Sequence, residues 1–223
     1  MKIIGHRGAR GLAPENTVVA LGKAIEHGVD EVEFDVRVTK DGYVILHHDE
    51  DLCDPNGNHI NIGRSNLAEL RAHKPDLAIL EEAILVINHR ASMLIEIKPG
   101  IDIKPVVAVI ENALETGWKT DEITFCSFSI ELLKKLKRLL PDIKIMVIER
   151  WSGVRATHNA RRLNTRLISI NQHVLWWGFI KVMKSGGYNL YTYTLNNPAK
   201  AQRWAKYGLA GVITDYPDLF NHK

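Results

Sequence analysis

The stretch EVEFDVRVTKDGYVILH, residues 31–47, decides the fold. It contains two runs rich in β-forming residues, 31–36 and 43–47, which are joined through Lys40-Asp41-Gly42. Asp-Gly between two such runs is typical of a hairpin turn, so the two strands are expected to pair as antiparallel neighbours. The second strand of this pair therefore stands outside any βαβ repeat.

The rest of the chain alternates short β-rich runs with longer helical patterns, which predicts βαβ units and a parallel sheet. With the hairpin strand placed on the rim, eight βα units remain, the number that closes a (β/α)8 TIM barrel. A doubly wound open sheet is the alternative, but no Gly-rich phosphate loop supports it. The turn-rich segment 52–65 is predicted to be a loop over the barrel mouth, within a short insertion near residues 50–75. The other predicted strands are 2–5, 93–97, 123–127, 144–148, 167–170, 189–194 and 211–214.

The bulk composition is that of one soluble globular domain spanning residues 1–223. Hydrophobic residues make up 45% of the chain, enough for one large core. The net charge of +3 is too small to indicate a nucleic-acid partner. The densest basic runs, at 134–138 and 161–162, fit solvated helix faces better than contacts with a polyanion or a membrane surface.

The expected location is the cytoplasm. The two cysteines, Cys53 and Cys126, form no disulfide framework pattern. The first residues do not form a signal peptide, and no apolar run approaches the ~18 residues of a membrane span, so stable membrane insertion is not expected. Trp176, Trp177 and Phe179 lie in a helical pattern and are predicted to pack in the core, although an apolar rim for membrane contact is the alternative.

Carboxylates at the ends of predicted strands indicate a metal site. Glu33 and Asp35 are two residues apart, so both side chains point to one face of a strand that would line the barrel. Two like charges there repel unless something neutralises them. Glu96 ends another strand, and three convergent carboxylates without cysteine suit one divalent cation bound by oxygen. We favour Mg²⁺, with Ca²⁺ as the alternative, while His6 and His48 keep zinc possible.

The remaining charged strand ends indicate an anionic substrate. Three carboxylates and one divalent ion sum to one negative charge, to which Arg7 and Lys98 add two positive charges. A phosphodiester fits this field, because arginine holds phosphate oxygens with two parallel bonds and lysine acts as a point charge. His6 and His48 converge at the same barrel end and can supply the base and the acid that phosphoryl transfer needs near neutral pH.

An ordered set of short motifs resembles the glycerophosphodiester phosphodiesterase family in its short bacterial form. The motifs are Gly5-His6-Arg7-Gly8, Pro14-Glu15-Asn16-Thr17, Glu33-Phe34-Asp35-Val36, Thr39-Lys40-Asp41-Gly42, His48-Asp49, Glu96-Ile97-Lys98, Ser127-Phe128, Tyr191-Thr192-Tyr193-Thr194 and Gly211 to Pro217. The match runs from Gly5 to Asp218. Each piece is weak alone, but the ordered set at these spacings is highly specific.

This resemblance implies a phospholipase-C-like barrel that hydrolyses glycerophosphodiesters, such as glycerophosphocholine and glycerophosphoethanolamine, to sn-glycerol 3-phosphate and an alcohol. It implies that the glycerol 2-hydroxyl attacks phosphorus before water opens a cyclic phosphate. His6 and His48 resemble the family's acid/base pair. Its metal ligands are matched by Glu33, Asp35 and Glu96, and its phosphate contacts by Arg7 and Lys98. Additional candidates are Asn16, Glu149 and Tyr193.

The sequence departs from the family pattern at two places that bear on headgroup preference. The family's Leu-Asp-Arg piece appears here as Leu52-Cys53-Asp54, without the arginine, and Tyr193 stands where tryptophan is usual. Two other functions remain open at this point: a related barrel phosphodiesterase acting on lysophospholipids or sphingomyelin, and a non-catalytic phosphate-binding protein. The sequence leaves the oligomeric state undetermined.

Overall fold

A computed structural model describes residues 1–54 and 57–220 and shows a closed parallel barrel, which confirms the predicted fold class. Its eight strands follow one another around the barrel, and pairing between the first and second closes the ring. The strands are β1 (Lys2–Gly5), β2 (Glu31–Val38), β6 (Ser92–Ile97), β7 (Ile123–Ser127), β8 (Lys144–Glu149), β9 (Leu167–Asn171), β10 (Asn189–Tyr193) and β11 (Gly211–Thr214).

Helices connect the strands on the outside of the barrel. They are α1 (Val18–Glu26), α2 (Leu67–His73), α3 (Leu80–Ile87), α4 (Lys104–Glu115), α5 (Ile130–Leu139), α6 (Gly153–Arg162), α7 (Trp177–Ser185) and α8 (Pro198–Ala205). A 3₁₀ turn over Pro217–Phe220 ends the described chain.

The predicted hairpin is present on the barrel rim. Strand β3 (Val44–Leu46) pairs antiparallel with β2, in a register that places Val38 opposite Val44. The turn between them is closed by the Thr39 amide, which donates to the Tyr43 carbonyl. Gly42 has a φ of +88°, a conformation that favours glycine, so the Asp-Gly signal in the sequence reported the turn correctly.

Strand β2 shows how the barrel separates apolar from ionisable side chains. Val32 and Phe34 are fully buried in the layer between strands and helices. Since side chains alternate along a strand, Glu33 and Asp35 point into the barrel. The lower interior is filled mainly by apolar side chains: Ile4, Leu94, Cys126, Met146, Ile148, Tyr191 and Ile213. The carboxylates therefore lie at the upper end of a packed barrel rather than in a solvated channel.

The segment predicted as a loop over the mouth is more ordered than expected, and its position differs. Its described part forms strands β4 (Asp51–Cys53) and β5 (His59–Asn61), which pair with each other. Leu52 and Ile62 pack on Ile45 of the rim hairpin in a small separate core. The segment thus packs beside the hairpin, and its described residues do not line the central cavity described below. Pro55 and Asn56, which the predicted loop also included, lie outside the described residues.

The predicted core position of the tryptophan pair is wrong. Trp176 and Trp177 are exposed, and only Phe179 of that group is partly buried against the core. The pair lies at the start of α7, where the chain leaves the barrel mouth. The face of the helix that packs against the barrel therefore begins only after the pair. In the described part of the chain, every helix is too short or too polar to cross a bilayer.

Candidate active site

A central cavity of about 290 Å³ opens at the carboxyl ends of the barrel strands. This is the end at which barrel enzymes place their catalytic residues. Its ionisable lining residues are His6, Arg7, Arg10, Glu33, His48, Glu96 and Arg150. The floor is apolar and includes Leu94, Cys126, Met146, Ile148 and Ile213. The cavity therefore combines a charged mouth with an apolar base.

The three predicted metal ligands come together. Each of Glu33, Asp35 and Glu96 offers an oxygen that lies within 4.8 Å of the others. The grouping follows from the sheet, since β2 and β6 are adjacent and their register places Asp35 opposite Glu96. Glu33 and Asp35 are buried, and Glu96 is nearly so.

The crowding of these carboxylates changes their proton affinity. Burial raises the pKa of Glu33 well above its usual value, and the neighbouring charges of Asp35 and Glu96 raise it further. Burial, followed by the charge of Asp35, also raises the pKa of Glu96. Without a cation, the cluster thus favours keeping a proton.

Two cations contact Asp35 from opposite sides of its carboxylate. Lys98 Nζ lies 2.6 Å from Asp35 Oδ1 and also bonds to Glu96. Arg7 Nε lies 3.2 Å from Asp35 Oδ2. Burial opposes ionisation of Asp35, but these two cations outweigh it and hold its pKa below the usual value. Arg7 lines the cavity directly, whereas Lys98 lies behind the carboxylates.

The loop after β1 is fixed to the carboxylate cluster. The backbone amide of Arg7 donates to Glu33 Oε2 at 2.7 Å, and the Arg7 guanidinium bonds to Glu15 Oε1 at 2.6 Å. Asn16 Nδ2 donates to Asp35 Oδ2 at 3.0 Å, while its Oδ1 accepts from the Asp35 amide at 3.1 Å. Asn16 is buried and contacts the cluster rather than the cavity, and Thr17 caps α1 directly after it. The start of α1 and the support of the Asp35 carboxylate are thus adjacent in the chain.

Both predicted catalytic histidines line the cavity, and each has an aspartate on Nδ1. His6 Nδ1 lies 2.6 Å from Asp215 Oδ1, and His48 Nδ1 lies 2.7 Å from Asp49 Oδ1. A carboxylate on Nδ1 fixes the proton there, which leaves Nε2 free to exchange protons with a substrate. Burial, followed by the charge of Lys98, lowers the pKa of His48.

Asp215 is the main site residue that the sequence analysis did not select. It follows β11, which pairs with β1, so barrel closure brings it to His6 from 209 positions away. Asn196 Nδ2 donates to Asp215 Oδ2 at 2.9 Å. Asn196 Oδ1 in turn accepts from Thr214 Oγ1 and from the Asp215 amide. The sequence signal for Asp215 is its position directly after the predicted strand that ends in Thr214. The residue entered the prediction only as part of the family motif Gly211 to Pro217.

Of the two other predicted site residues, Tyr193 lines the cavity and Glu149 does not. The Glu149 carboxylate turns away from the cavity and holds Arg155, with Nε at 2.5 Å and Nη2 at 2.6 Å, and it accepts from the Arg150 and Trp151 amides. It therefore orders the loop after β8. Tyr193 lines the cavity and donates its hydroxyl to the Glu149 carbonyl at 3.0 Å.

The outer wall of the cavity is aromatic and basic. The Phe128 ring packs edge-on against Tyr193, with ring centroids 6.4 Å apart. The Arg150 guanidinium carbon lies 5.8 Å from the centre of the Phe128 ring. Among the described residues, no carboxylate comes within 4 Å of Arg150, whereas Arg10 faces both Glu15 and Asp215 at 3.5 Å. Arg150 is thus the cation of this wall that is available to an anionic group.

The carboxylate cluster fits a hard divalent cation. Its donors are all oxygen, and Glu33 and Glu96 have raised pKa values because negative charge is concentrated around them in a buried place. A bound cation would relieve that repulsion and let all three carboxylates ionise. Cys126 also faces the cluster, but burial raises the pKa of its thiol well above the usual value, so it does not offer a thiolate ligand.

A closed (β/α)8 barrel with acidic, basic and histidine side chains around one cavity defines the class: a barrel hydrolase acting on an anionic ester. Residues 6–219 match the Glycerophosphoryl diester phosphodiesterase family. The chain belongs to this family, and both the family and the enzyme class predicted from the sequence are confirmed.

Relatives and solved structures agree with this assignment. A glycerophosphodiester phosphodiesterase of Caldanaerobacter subterraneus subsp. tengcongensis is 28% identical over 97% of this chain and 94% of its own. A phosphodiesterase of Oleispira antarctica, solved in complex with the product sn-glycerol-3-phosphate, superposes with a TM-score of 0.86 at 26% identity, covering 99% of this chain and 95% of that one. The Thermotoga maritima glycerophosphodiester phosphodiesterase gives a TM-score of 0.80 at 25% identity, with coverage of 99% and 96%.

Proposed function

We propose that this enzyme hydrolyses glycerophosphocholine and glycerophosphoethanolamine to sn-glycerol 3-phosphate and the free alcohol, with a divalent cation and a histidine pair. The observation that carries the proposal is the convergence of three carboxylates and two aspartate-bound histidines at one barrel mouth. The product bound to the Oleispira antarctica enzyme supports the choice of substrate.

Glu33, Asp35 and Glu96 would hold one divalent cation, with Mg²⁺ favoured over Ca²⁺. When bound, such an ion supplies charge stabilisation for the phosphodiester oxygens. The three carboxylates supply a compact, all-oxygen donor set, which suits the smaller cation. Lys98 and Arg7 would balance the charge of Asp35 and attract the phosphodiester, and Arg7 is placed to contact it because it lines the cavity.

His6 and His48 would exchange protons with the reacting oxygens through Nε2. In the first half-reaction one histidine takes the proton of the glycerol 2-hydroxyl as its oxygen bonds to phosphorus. The bond from phosphorus to the alcohol oxygen breaks, and the other histidine protonates that oxygen. Water then opens the cyclic phosphate with the two roles reversed. The lowered pKa of His48 supports its neutral form near neutral pH.

Three further residues are proposed to support the site. Asn16 would hold the Asp35 carboxylate in position through its two hydrogen bonds. Glu149 would fix the loop that carries Arg150, and Tyr193 would shape the part of the cavity that receives the departing alcohol. Their replacement is expected to change KM and headgroup preference more than proton transfer.

The deciding experiment measures release of sn-glycerol 3-phosphate from each of the two substrates, with Mg²⁺, with Ca²⁺ and with EDTA. Metal-dependent release is expected, with loss of turnover in His6→Ala and His48→Ala proteins that still bind the metal. Trapping of a cyclic glycerol phosphate would support the two-step path. Direct attack by water, detected as inversion at phosphorus, would refute it. No release from folded, metal-loaded protein would refute the substrate assignment.

A second candidate substrate is a lysophospholipid or a sphingomyelin-type lipid. The exposed Trp176 and Trp177 beside the barrel mouth favour it, since they provide an apolar surface for an acyl chain. Choline release from lysophosphatidylcholine, compared with glycerophosphocholine under identical conditions, separates the two. Faster turnover of the lipid would make it the substrate.

We further propose that residues 1–223 form one domain that acts in the cytoplasm on a small-molecule substrate, without a nucleic-acid partner. Limited proteolysis tests the first statement, because a single domain should resist cleavage between its helices. Fractionation of cells that produce the protein tests the second.

A further inference from the structure

The distribution of charge along the chain is strongly uneven. Residues 150–214 contain ten lysines and arginines and not one aspartate or glutamate. The rest of the chain carries 19 basic and 26 acidic residues, so the modest net charge of +3 conceals a basic third and an acidic remainder. We name residues 150–214 the basic sector.

The basic sector is contiguous in the fold. It comprises β9, β10, β11, helices α6 to α8 and their connecting loops, and its strands are consecutive neighbours in the barrel. Among the described residues, Arg155 is its only lysine or arginine with a carboxylate within 4 Å, and that partner is Glu149, just before the sector begins. The positive charge is therefore available to an external partner.

The mouth end of the sector also exposes aromatic side chains. Trp151 is 71% exposed, Trp176 58% and Trp177 56%. Trp176 and Trp177 pack edge-on, with ring centroids 5.9 Å apart, and Lys181 Nζ lies 5.4 Å from the Trp177 ring centre. These residues leave adjacent strands at the end of the barrel where the cavity opens. We name Trp151, Trp176 and Trp177 the tryptophan rim.

The two loops that carry the rim are in contact. A Cβ added to Gly153, at the start of α6, would lie 2.4 Å from the Phe179 ring of α7. The loop after β8 also carries Arg150, which lines the cavity. The rim is thus continuous with the mouth of the candidate active site rather than an isolated patch.

We propose that the tryptophan rim and the cations toward the mouth end of the basic sector, Arg150, Lys181 and Lys200, dock the enzyme on the surface of an anionic phospholipid bilayer, with the barrel mouth facing the membrane. The other lysines and arginines of the sector that lack a carboxylate partner lie toward the opposite ends of the helices. Tryptophan favours the boundary between headgroups and acyl chains, and lysine and arginine are attracted by anionic headgroups. A double-stranded nucleic acid would use the positive charge but not the exposed tryptophans, whereas single-stranded nucleic acid, whose bases stack on aromatic side chains, is the alternative that the test below separates. This docking is independent of turnover and does not rest on the substrate proposed above.

The test is co-sedimentation of the full chain with vesicles of phosphatidylcholine alone and of phosphatidylcholine with 30 mol% phosphatidylglycerol. The anionic vesicles are expected to bind more protein, and salt is expected to reverse the binding. Each basic residue near the surface contributes about fivefold to the partition coefficient, so Lys181→Gln should lower it by about that factor. Trp151→Ser combined with Trp176→Ser should lower it by at least about tenfold, because apolar area is lost.

Matched controls locate the effect. Leu85 on α3 is 76% exposed and lies outside the basic sector, so Leu85→Ser removes a comparable apolar side chain and should leave the partition coefficient unchanged. Arg64→Gln is the corresponding charge control. Circular dichroism and turnover of a short soluble substrate check that each variant is folded.

Three results would overturn the proposal. One is the absence of binding to anionic vesicles at low ionic strength. Another is an equal loss of binding in the Leu85→Ser protein and in the tryptophan variant. The third is salt-sensitive binding to single-stranded RNA that is tighter than vesicle binding, which would assign the sector to nucleic acid.

Discussion

Replacing Asp215 with asparagine should disable His6 through its tautomer. Asn196 is held in one orientation, because its Oδ1 accepts from Thr214 Oγ1 at 3.0 Å and from the residue 215 amide at 2.9 Å. Its Nδ2 therefore continues to donate to residue 215. The new amide must place its oxygen toward Asn196 and its NH₂ group toward His6 Nδ1. His6 then has to accept at Nδ1 and carry its proton on Nε2, the wrong form for a base.

The size of the effect follows from the hydrogen bond that is lost. His6 Nδ1 and Asp215 Oδ1 are 2.6 Å apart in a partly buried place, and hydrogen bonds to a charged partner contribute about 1.5–3 kcal/mol. If the protonated or correctly oriented form of His6 is needed only in the transition state, the loss of this hydrogen bond should lower kcat about 10- to 150-fold. KM should change little, because Asp215 does not line the cavity.

The assay is steady-state release of sn-glycerol 3-phosphate at saturating Mg²⁺ for the wild-type and Asp215→Asn proteins. Asp142→Asn, an exposed carboxylate after α5, is the matched control and should retain wild-type kcat. Thermal unfolding shows whether both variants are folded. A kcat of Asp215→Asn within about twofold of wild type would refute the reasoning, since that result means that His6 works without its aspartate.

Other predictions address the metal site and the cavity wall. Glu33→Gln should abolish metal-dependent turnover yet raise the Tm in EDTA at pH 8. Because the pKa of Glu33 is raised in the folded state, its carboxyl destabilises the fold increasingly as the pH rises above the pKa of the unfolded state. The gain in Tm from the glutamine should therefore shrink toward pH 5. An unfolded variant would contradict the metal role. Mg²⁺ binding should release protons in calorimetry across buffers, and the release should grow as the pH is lowered, because the pKa values of Glu33 and Glu96 are raised in the cluster without a cation; zero release at every pH would contradict this. Arg150→Gln should lower kcat/KM for glycerophosphoserine about threefold to fivefold while leaving glycerophosphoethanolamine unchanged, because only the former offers a carboxylate.

The barrel could be predicted because its signals are local. Each barrel strand and most helices are coded by patterns within their own residues, and the Asp-Gly turn removed the rim hairpin strand from the count. Helix α2 and strands β4 and β5 were missed because they are short and depend on packing against Ile45 of the rim hairpin. The tryptophan pair was misplaced for a related reason: amphipathic periodicity identifies a helix face, but it does not tell how far the helix start projects beyond the barrel.

The carboxylate cluster could be predicted from the alternation of side chains along the strands, and the support of His6 could not. Glu33, Asp35 and Glu96 follow from alternation and from the rule that barrel sites lie at strand ends. Asp215 contacts His6 only because β11 pairs with β1 at barrel closure. Nothing in the sequence fixes that register. For the same reason the availability of Arg150 to an anionic group could not be predicted, because it depends on which neighbouring carboxylates already have other partners.

The cations of the basic sector should differ in their influence on a small soluble substrate, because they lie at different distances from the cavity. At physiological ionic strength, charge is screened over about 8 Å, so only cations near the cavity should attract a glycerophosphodiester. Arg150 lines the cavity, whereas Arg161 and Arg162 lie at the far end of α6, about 12 Å along its axis from Gly153. Arg150→Gln should therefore weaken the salt dependence of kcat/KM for glycerophosphoserine, and the Arg161→Gln, Arg162→Gln double variant should not. An equal effect of both would mean that the whole sector steers the substrate, and the restriction of steering to the cations near the cavity would be wrong.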